Sequence, residues 1–199
     1  MVTALEKEYG ERYLADGISV TCNLLPNGEL DFWAQPPGEG HTYYPSNVVD
    51  FSSSLCFASS NKHESNAEWE NGQRDPVFLE FHFVHMIAIV SGYTLRARWD
   101  YNNNEYNYCP QQWTLRASME RMRSEEDGIE IDSSRNHAES DIKALASKVG
   151  ATQHFSVQRL ERCRYLRFTM KGLSAKAWNG MALGAFEMFG TLLPVTSED

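Results

Sequence analysis

The stretch Val77-Phe78-Leu79-Glu80-Phe81-His82-Phe83 constrains this chain more than any other. Val77, Leu79, Phe81 and Phe83 recur with a period of two, and Phe78, Glu80 and His82 fill the places between. An extended strand points successive side chains to opposite faces, so this pattern makes one apolar face and one mixed face. Such a strand needs partners, and the chain supplies them. Ile18, Val20 and Cys22 alternate with Ser19, Thr21 and Asn23. Within the segment Ile87 to Arg98, Tyr93, Leu95 and Ala97 alternate with Thr94, Arg96 and Arg98. Trp113 to Ala117, Ile129 to Ile131, Tyr165 to Met170 and the nearly apolar run Leu183 to Phe189, closed by Gly190, complete the set. Turn sequences such as Pro26-Asn27-Gly28 separate them. One helix is expected from Asp141 to Val149, with Ser140 as its cap, Ile142, Leu145 and Val149 along one side, and Gly150 as the stop. Many short strands with little helix imply an all-β, antiparallel sandwich or barrel. A single domain over 17–192 is expected, with an N-terminal arm at 1–16 and a C-terminal tail at 193–199.

Charge excludes several partners. The 199 residues carry 18 Lys+Arg against 27 Asp+Glu, a formal net charge of −9. An acidic surface cannot displace counterions from a phosphate backbone, so no nucleic-acid partner is expected, nor a polybasic grip on anionic lipid. The longest apolar run, Met86 to Val90, falls far short of the ~20 residues that span a bilayer. Glu6, Lys7 and Glu8 follow Leu5 at once, unlike a signal peptide, and a soluble, cytoplasmic chain is expected. Cys22, Cys56, Cys109 and Cys163 show no C-x-x-C pair and no metal-ligand spacing. All four are expected as free thiols, at least two of them buried.

No nucleophile elbow, phosphate loop or dinucleotide fingerprint occurs, and the expected protein is not an enzyme. His82 and His85 sit three apart, on opposite sides of an extended strand, so they are read as outward side chains and not as metal ligands. Glu125-Glu126-Asp127 is read as a solvated hairpin tip, since no apolar neighbours are there to raise a carboxyl pKa. Arg96, Arg98, Arg164 and Arg167 have two readings: an anion-binding face, or a solvated outer sheet with cross-strand acid partners. The second is the plainer.

Three stretches resemble the coagulation-factor type C, or discoidin-like, domain. They are Ser46-Asn47-Val48-Val49-Asp50-Phe51 followed by Pro76 to Phe81, then Gln112-Trp113-Thr114-Leu115-Arg116-Ala117-Ser118, then Cys163 to Phe168 with Met181 to Gly190. The resemblance implies a β-sandwich jelly roll of the galactose-binding-like class. The wording N-V-V-D-F and A-F-E-M-F-G resembles intracellular protist members most. Two departures stand out: no cysteine follows the closing strand, and the charged stretch Met119 to Gly128 replaces the family's N-D-G turn. The resemblance implies no cofactor beyond a structural calcium ion near Asp50, a residue whose simpler role is to cap the turn after Asn47.

In that fold the loops at the sandwich ends bind partners. The segment from Trp99 to Tyr108 interleaves aromatics with amides and acids, and Trp99, Tyr101, Asn103 and Tyr106 are the candidates there. Trp69 in the Ser52 to Arg74 loop, and Lys176, Trp178 and Asn179 in the late loop, join them. Flat aromatic faces stack on sugar rings or anchor protein contacts, and Asn both donates and accepts hydrogen bonds. The leading expectation is a non-catalytic module that docks onto a protein partner or a larger, cytoskeletal assembly. The alternative is a small-ligand binder, lectin-like for carbohydrate ahead of anionic phospholipid.

Overall fold

The structure, a computed structural model, describes residues 18–22, 57–58, 77–97, 109–148, 150–171 and 182–195. The N-terminal arm, the Asn47–Asp50 turn, Cys56 and Arg98 lie outside these residues. In chain order the first strands are β1 (Ile18–Cys22), β2 (Phe57–Ala58), β3 (Val77–Phe83), β4 (Met86–Arg96), β5 (Gln112–Ser118) and β6 (Ile129–Ser133). A 3-10 turn (Ser134–Asn136) and helix α1 (Glu139–Leu145) follow. Then come β7 (Thr152–Ser156), β8 (Arg162–Cys163), β9 (Tyr165–Lys171), β10 (Ala182–Leu183) and β11 (Ala185–Pro194).

Every described pairing is antiparallel. One sheet has the order β1-β3-β9-β5-β6, the other β11-β4-β7 with β8 also on β4, and β2 pairs with β10. The alternation in β3 sends Leu79, Phe81 and Phe83 inward, all fully buried. Leu166, Phe168 and Met170 of β9 join them, with Trp113 and Leu115 of β5. The second sheet answers with Tyr93, Leu95, Phe155, Phe186 and Met188. Rings meet across the gap: Phe81 and Phe168 each lie 5.0 Å from Phe186, and Trp113 lies edge-on to Phe155 at 5.1 Å. This is the antiparallel β-sandwich that the sequence implies.

Three expectations are corrected. The apolar run 183–189 is not one strand. A Cβ at Gly184 would sit 2.4 Å from the Ala97 carbonyl oxygen, and this close approach separates β10 from β11. Nor does Gly190 close the strand. It has φ +153° and sits at a β-bulge where Ser91 is the extra residue opposite, and β11 runs on to Pro194. The helix begins at Glu139 with Ala138 as N-cap, so Ser140 lies inside it. Glu139 and Asp141 favour that start by placing negative charge in the first turn. The helix ends at Leu145, where the Ser147 hydroxyl donates to the Ala144 carbonyl, and Gly150 at φ +69° turns the chain toward β7.

A fourth correction concerns the arginines. Register aligns Thr21, Glu80, Arg167, Arg116 and Glu130 in one row across the outer face of the five-stranded sheet. The cross-strand acid partner is there, but Glu80 and Arg167 at the centre of the row are not solvated. Arg167 is 3% exposed and Glu80 5%, because the connection from Met119 to Gly128 folds over them. Arg167 donates from Nε and Nη2 to Glu80 Oε2 at 3.0 and 2.6 Å. It also donates to the Met122 and Ser124 carbonyls at 2.5 and 2.6 Å, and it lies 4.2 Å over the Phe78 ring. Arg116 collects the Glu126 and Gly128 carbonyls at 2.7 and 2.9 Å. Asp127 closes the turn by accepting the Arg123 and Ser124 amides at 2.6 and 2.8 Å. Bonds from Ser124, with the Arg123 amide, hold its carboxyl down at about 2, while Glu125 and Glu126 stand exposed. Arg96 is also buried, and its Nη2 donates to the Gly184 carbonyl at 3.2 Å.

Cys109 and Cys163 are both buried thiols, and burial pushes the Cys163 thiol up to about 12. Cys22 lies in β1.

The ion pair generates a prediction. Glu80→Ala strands the Arg167 charge and should destabilise the fold by about 3–5 kcal/mol, whereas Glu80→Leu with Arg167→Met should cost far less. Urea denaturation of both variants checks it. A single variant as stable as the double would show that the pair is solvated.

Candidate functional site

The eight sequence candidates, Trp69, Trp99, Tyr101, Asn103, Tyr106, Lys176, Trp178 and Asn179, all lie outside the described residues. The strands nevertheless fix where their segments attach. The segment carrying Trp69 enters β3 at Val77. The segment carrying Trp99 to Tyr106 leaves from Ala97 and returns at Cys109 before β5. The segment carrying Lys176 to Asn179 leaves β9 after Lys171 and enters β10 at Ala182.

Register places those points together. Val77 and Trp113 both pair with Met170, and Gln112 pairs with Lys171. These residues are the ends of β3, β9 and β5 at one side of the five-stranded sheet. The other sheet closes the group, since Ala185 pairs with Arg96 and the Gly184 amide donates to the Arg96 carbonyl at 2.8 Å. β2 and β10, paired through Ala58 and Ala182, join at the same place. All three segments therefore spring from one end of the sandwich, opposite the end formed by His85, Ser118 and Arg164.

Beneath that end lies a buried polar bracket that the sequence reading missed. The Trp113 indole donates to Tyr93 Oη at 2.7 Å, and the Tyr93 hydroxyl donates to Asp132 Oδ2 at 2.7 Å. His137 Nε2 donates to the same oxygen at 2.6 Å, and Asn136 donates to Oδ1 at 3.0 Å. Asp132 is 1% exposed, so these donors replace the water it loses. Burial, then the Asp132 charge, pushes the Tyr93 phenol well above its usual range, which keeps it a neutral donor. The Ser134 hydroxyl accepts the Trp113 amide at 3.2 Å. A detectable signal existed in the sequence: Asp132-Ser133-Ser134-Arg135-Asn136-His137 is an unbroken run of polar residues directly after Ile129-Glu130-Ile131, and its first two residues close β6.

His82 and His85 behave as the alternation implies. His82 lies on the outer face and stacks on Tyr165, while His85 is exposed in the turn. Among the described residues, no group of three or more His, Cys, Asp or Glu side chains could hold a metal ion, and no helix is long and apolar enough to cross a membrane. Asp50, the calcium candidate, lies outside them.

No protein-family model matches the chain, and no curated protein matches it. Solved structures do. The C-terminal domain of a chitobiase from Bacteroides fragilis matches with a TM-score of 0.53 at 12% identity, over 89% of this chain and 95% of that one. The CBM32 module CpGH89CBM32-5 from Clostridium perfringens, in complex with GalNAc-β-1,3-galactose, matches with a TM-score of 0.51 at 6% identity, over 86% and 94%. Chitosan-binding module 2 of a chitosanase/glucanase from Paenibacillus sp. IK-5, in complex with chitotriose, matches with a TM-score of 0.51 at 10% identity, over 87% and 97%. The fold is thus the antiparallel β-sandwich that these structures share.

The bracket yields its own prediction. Tyr93→Phe leaves the Trp113 indole without its acceptor and Asp132 one donor short, and should cost about 1–3 kcal/mol. Chemical denaturation with tryptophan fluorescence measures it. An unchanged midpoint and an unchanged emission maximum would contradict the bracket.

Proposed function

We propose that this chain is a non-catalytic carbohydrate-recognition domain that holds a glycan at the end of the sandwich where the three aromatic segments attach. The convergence of those attachment points on one end carries the reading. It brings three separate stretches, each carrying Trp and Asn, to a common base. Trp69, Trp99, Tyr101, Tyr106 and Trp178 would offer faces to the apolar side of a pyranose, and Asn103, Asn179 and Lys176 would bond its hydroxyls. The segment from Trp99 to Tyr108 holds Asp100 and Glu105 and no Lys or Arg. That balance suits a neutral or amine-bearing sugar better than a sulfated one. The neighbours in complex with GalNAc-β-1,3-galactose and with chitotriose support a glycan as ligand over docking onto a protein or cytoskeletal assembly.

A glycan array followed by calorimetry tests the proposal. Binding to a neutral or amino sugar is expected, and Trp99→Ala or Trp178→Ala should weaken it about tenfold or more with an unchanged melting temperature. A chain that binds no glycan but copurifies with a stoichiometric protein partner would overturn this reading in favour of protein docking.

A further inference from the structure

The opposite end of the sandwich carries a different chemistry. Register lines up His82, Tyr165 and Ser118 across β3, β9 and β5. The His82 and Tyr165 rings stack with centroids 4.3 Å apart and planes 3° from parallel, which fixes the imidazole. Arg164 precedes Tyr165, and its backbone is pinned by bonds to Phe83 and Ser118. Its Nη2 donates to the Val84 carbonyl at 3.1 Å. Two nitrogens of this pair, His82 Nε2 and Arg164 Nε, are buried and find no hydrogen-bond partner among the described residues. Buried ring and guanidinium nitrogens are ordinarily bonded, so each such atom asks for an explanation.

Charge points the same way. Arg164, Arg121 and His85 are each close enough to disfavour a proton on His82, and among these neighbours only Glu80 favours one. The Glu80 carboxylate is already held by Arg167. Burial, then Arg164, lowers the His82 pKa from its usual value. Glu120, beside Arg121, is exposed. In a chain of net charge −9, Arg121 and Arg164 meet here with no ion pair to an acid among the described residues. Like charges close together repel, so beyond the Arg164 bond to Val84 this grouping is a cost to folding that a bound anion would offset.

We propose that Arg164, His82 and Arg121 form a binding site for an oxyanion, a sulfate or phosphate group taken free or as an ester on a larger molecule. Arg164 Nε and His82 Nε2–H would donate to its oxygens, with Arg121 as a third, exposed cation at the rim. The site lies at the end of the sandwich away from the proposed glycan site and does not depend on it.

NMR titration of the His82 ring at constant ionic strength tests the proposal, comparing chloride, sulfate, phosphate, galactose and galactose 6-sulfate. An anion bound beside the ring favours the protonated form, so sulfate or phosphate should raise the His82 midpoint by about one unit relative to chloride. Arg121 is exposed, so Arg121→Gln should leave the melting temperature unchanged, and loss of its charge-assisted bond should weaken the anion about tenfold. A response to galactose 6-sulfate as well as sulfate assigns the site to esters on larger molecules, and a response to the inorganic ions alone assigns it to free anions. Galactose alone should not move His82. The same midpoint in chloride, sulfate and phosphate, or a shift that Arg121→Gln leaves intact, would overturn the proposal.

Discussion

Packing of apolar side chains holds the two sheet faces together, and the Tyr93 hydroxyl adds a directional tie between them. Tyr93 belongs to β4, whereas Trp113 and Asp132 belong to β5 and β6 of the facing sheet. One phenol accepts from the indole and donates to the carboxylate, both at 2.7 Å. Hydrogen bonds fix distance and angle more tightly than the ring packing of Phe81, Phe168 and Phe186 does. The bracket therefore sets how the sheets align. It also ties the 3-10 turn to the sandwich through Asn136 and His137. Because Trp113 lies one residue from the Gln112 edge, the bracket also fixes the base from which the aromatic segments rise.

The outer face of the larger sheet is settled by a second, distinct device. Arg167 and Arg116 are neighbours in one row and would repel if left bare. Each is offset by an acid, Glu80 or Glu130, and by carbonyls of the connection between β5 and β6. That connection is thereby held flat on the sheet and buries Met122. With that face covered, the two ends of the sandwich remain to differ: one gathers aromatic and amide segments, the other His82, His85, Arg121 and Arg164. An acidic chain thus presents two unlike chemistries at its two ends.

Much of the fold is legible in the sequence because a period of two needs no tertiary information. β3 and β9 appear over nearly the residues that alternation gives, with Phe81 and Phe168 fully buried as implied. β7 and β8 are not legible. Thr152 to Ser156 holds a single large apolar residue, Phe155, and β8 has only two residues, so neither makes a pattern. The break at Gly184 and the bulge at Gly190 arise from how closely two backbones approach, which no linear pattern encodes. The covering of Arg167 was hidden for a similar reason. A charged hairpin reads as solvated unless its carbonyls are known to face a guanidinium. For the site, composition supplied the aromatic and amide segments, but only strand register brings their attachment points to one end. Asp132, Asn136 and His137 escaped because a polar run after a strand reads as a loop.

The central claim is that recognition belongs to the end where the three aromatic segments attach. Mapping backbone amide shifts as a bound glycan is titrated in tests it most directly. The account predicts shifts concentrated at Val77, Ala97, Gln112, Lys171 and Ala182, with Ser118, Arg164 and His85 unmoved. Shifts clustered instead around Ser118, Arg164 and His85 would contradict it.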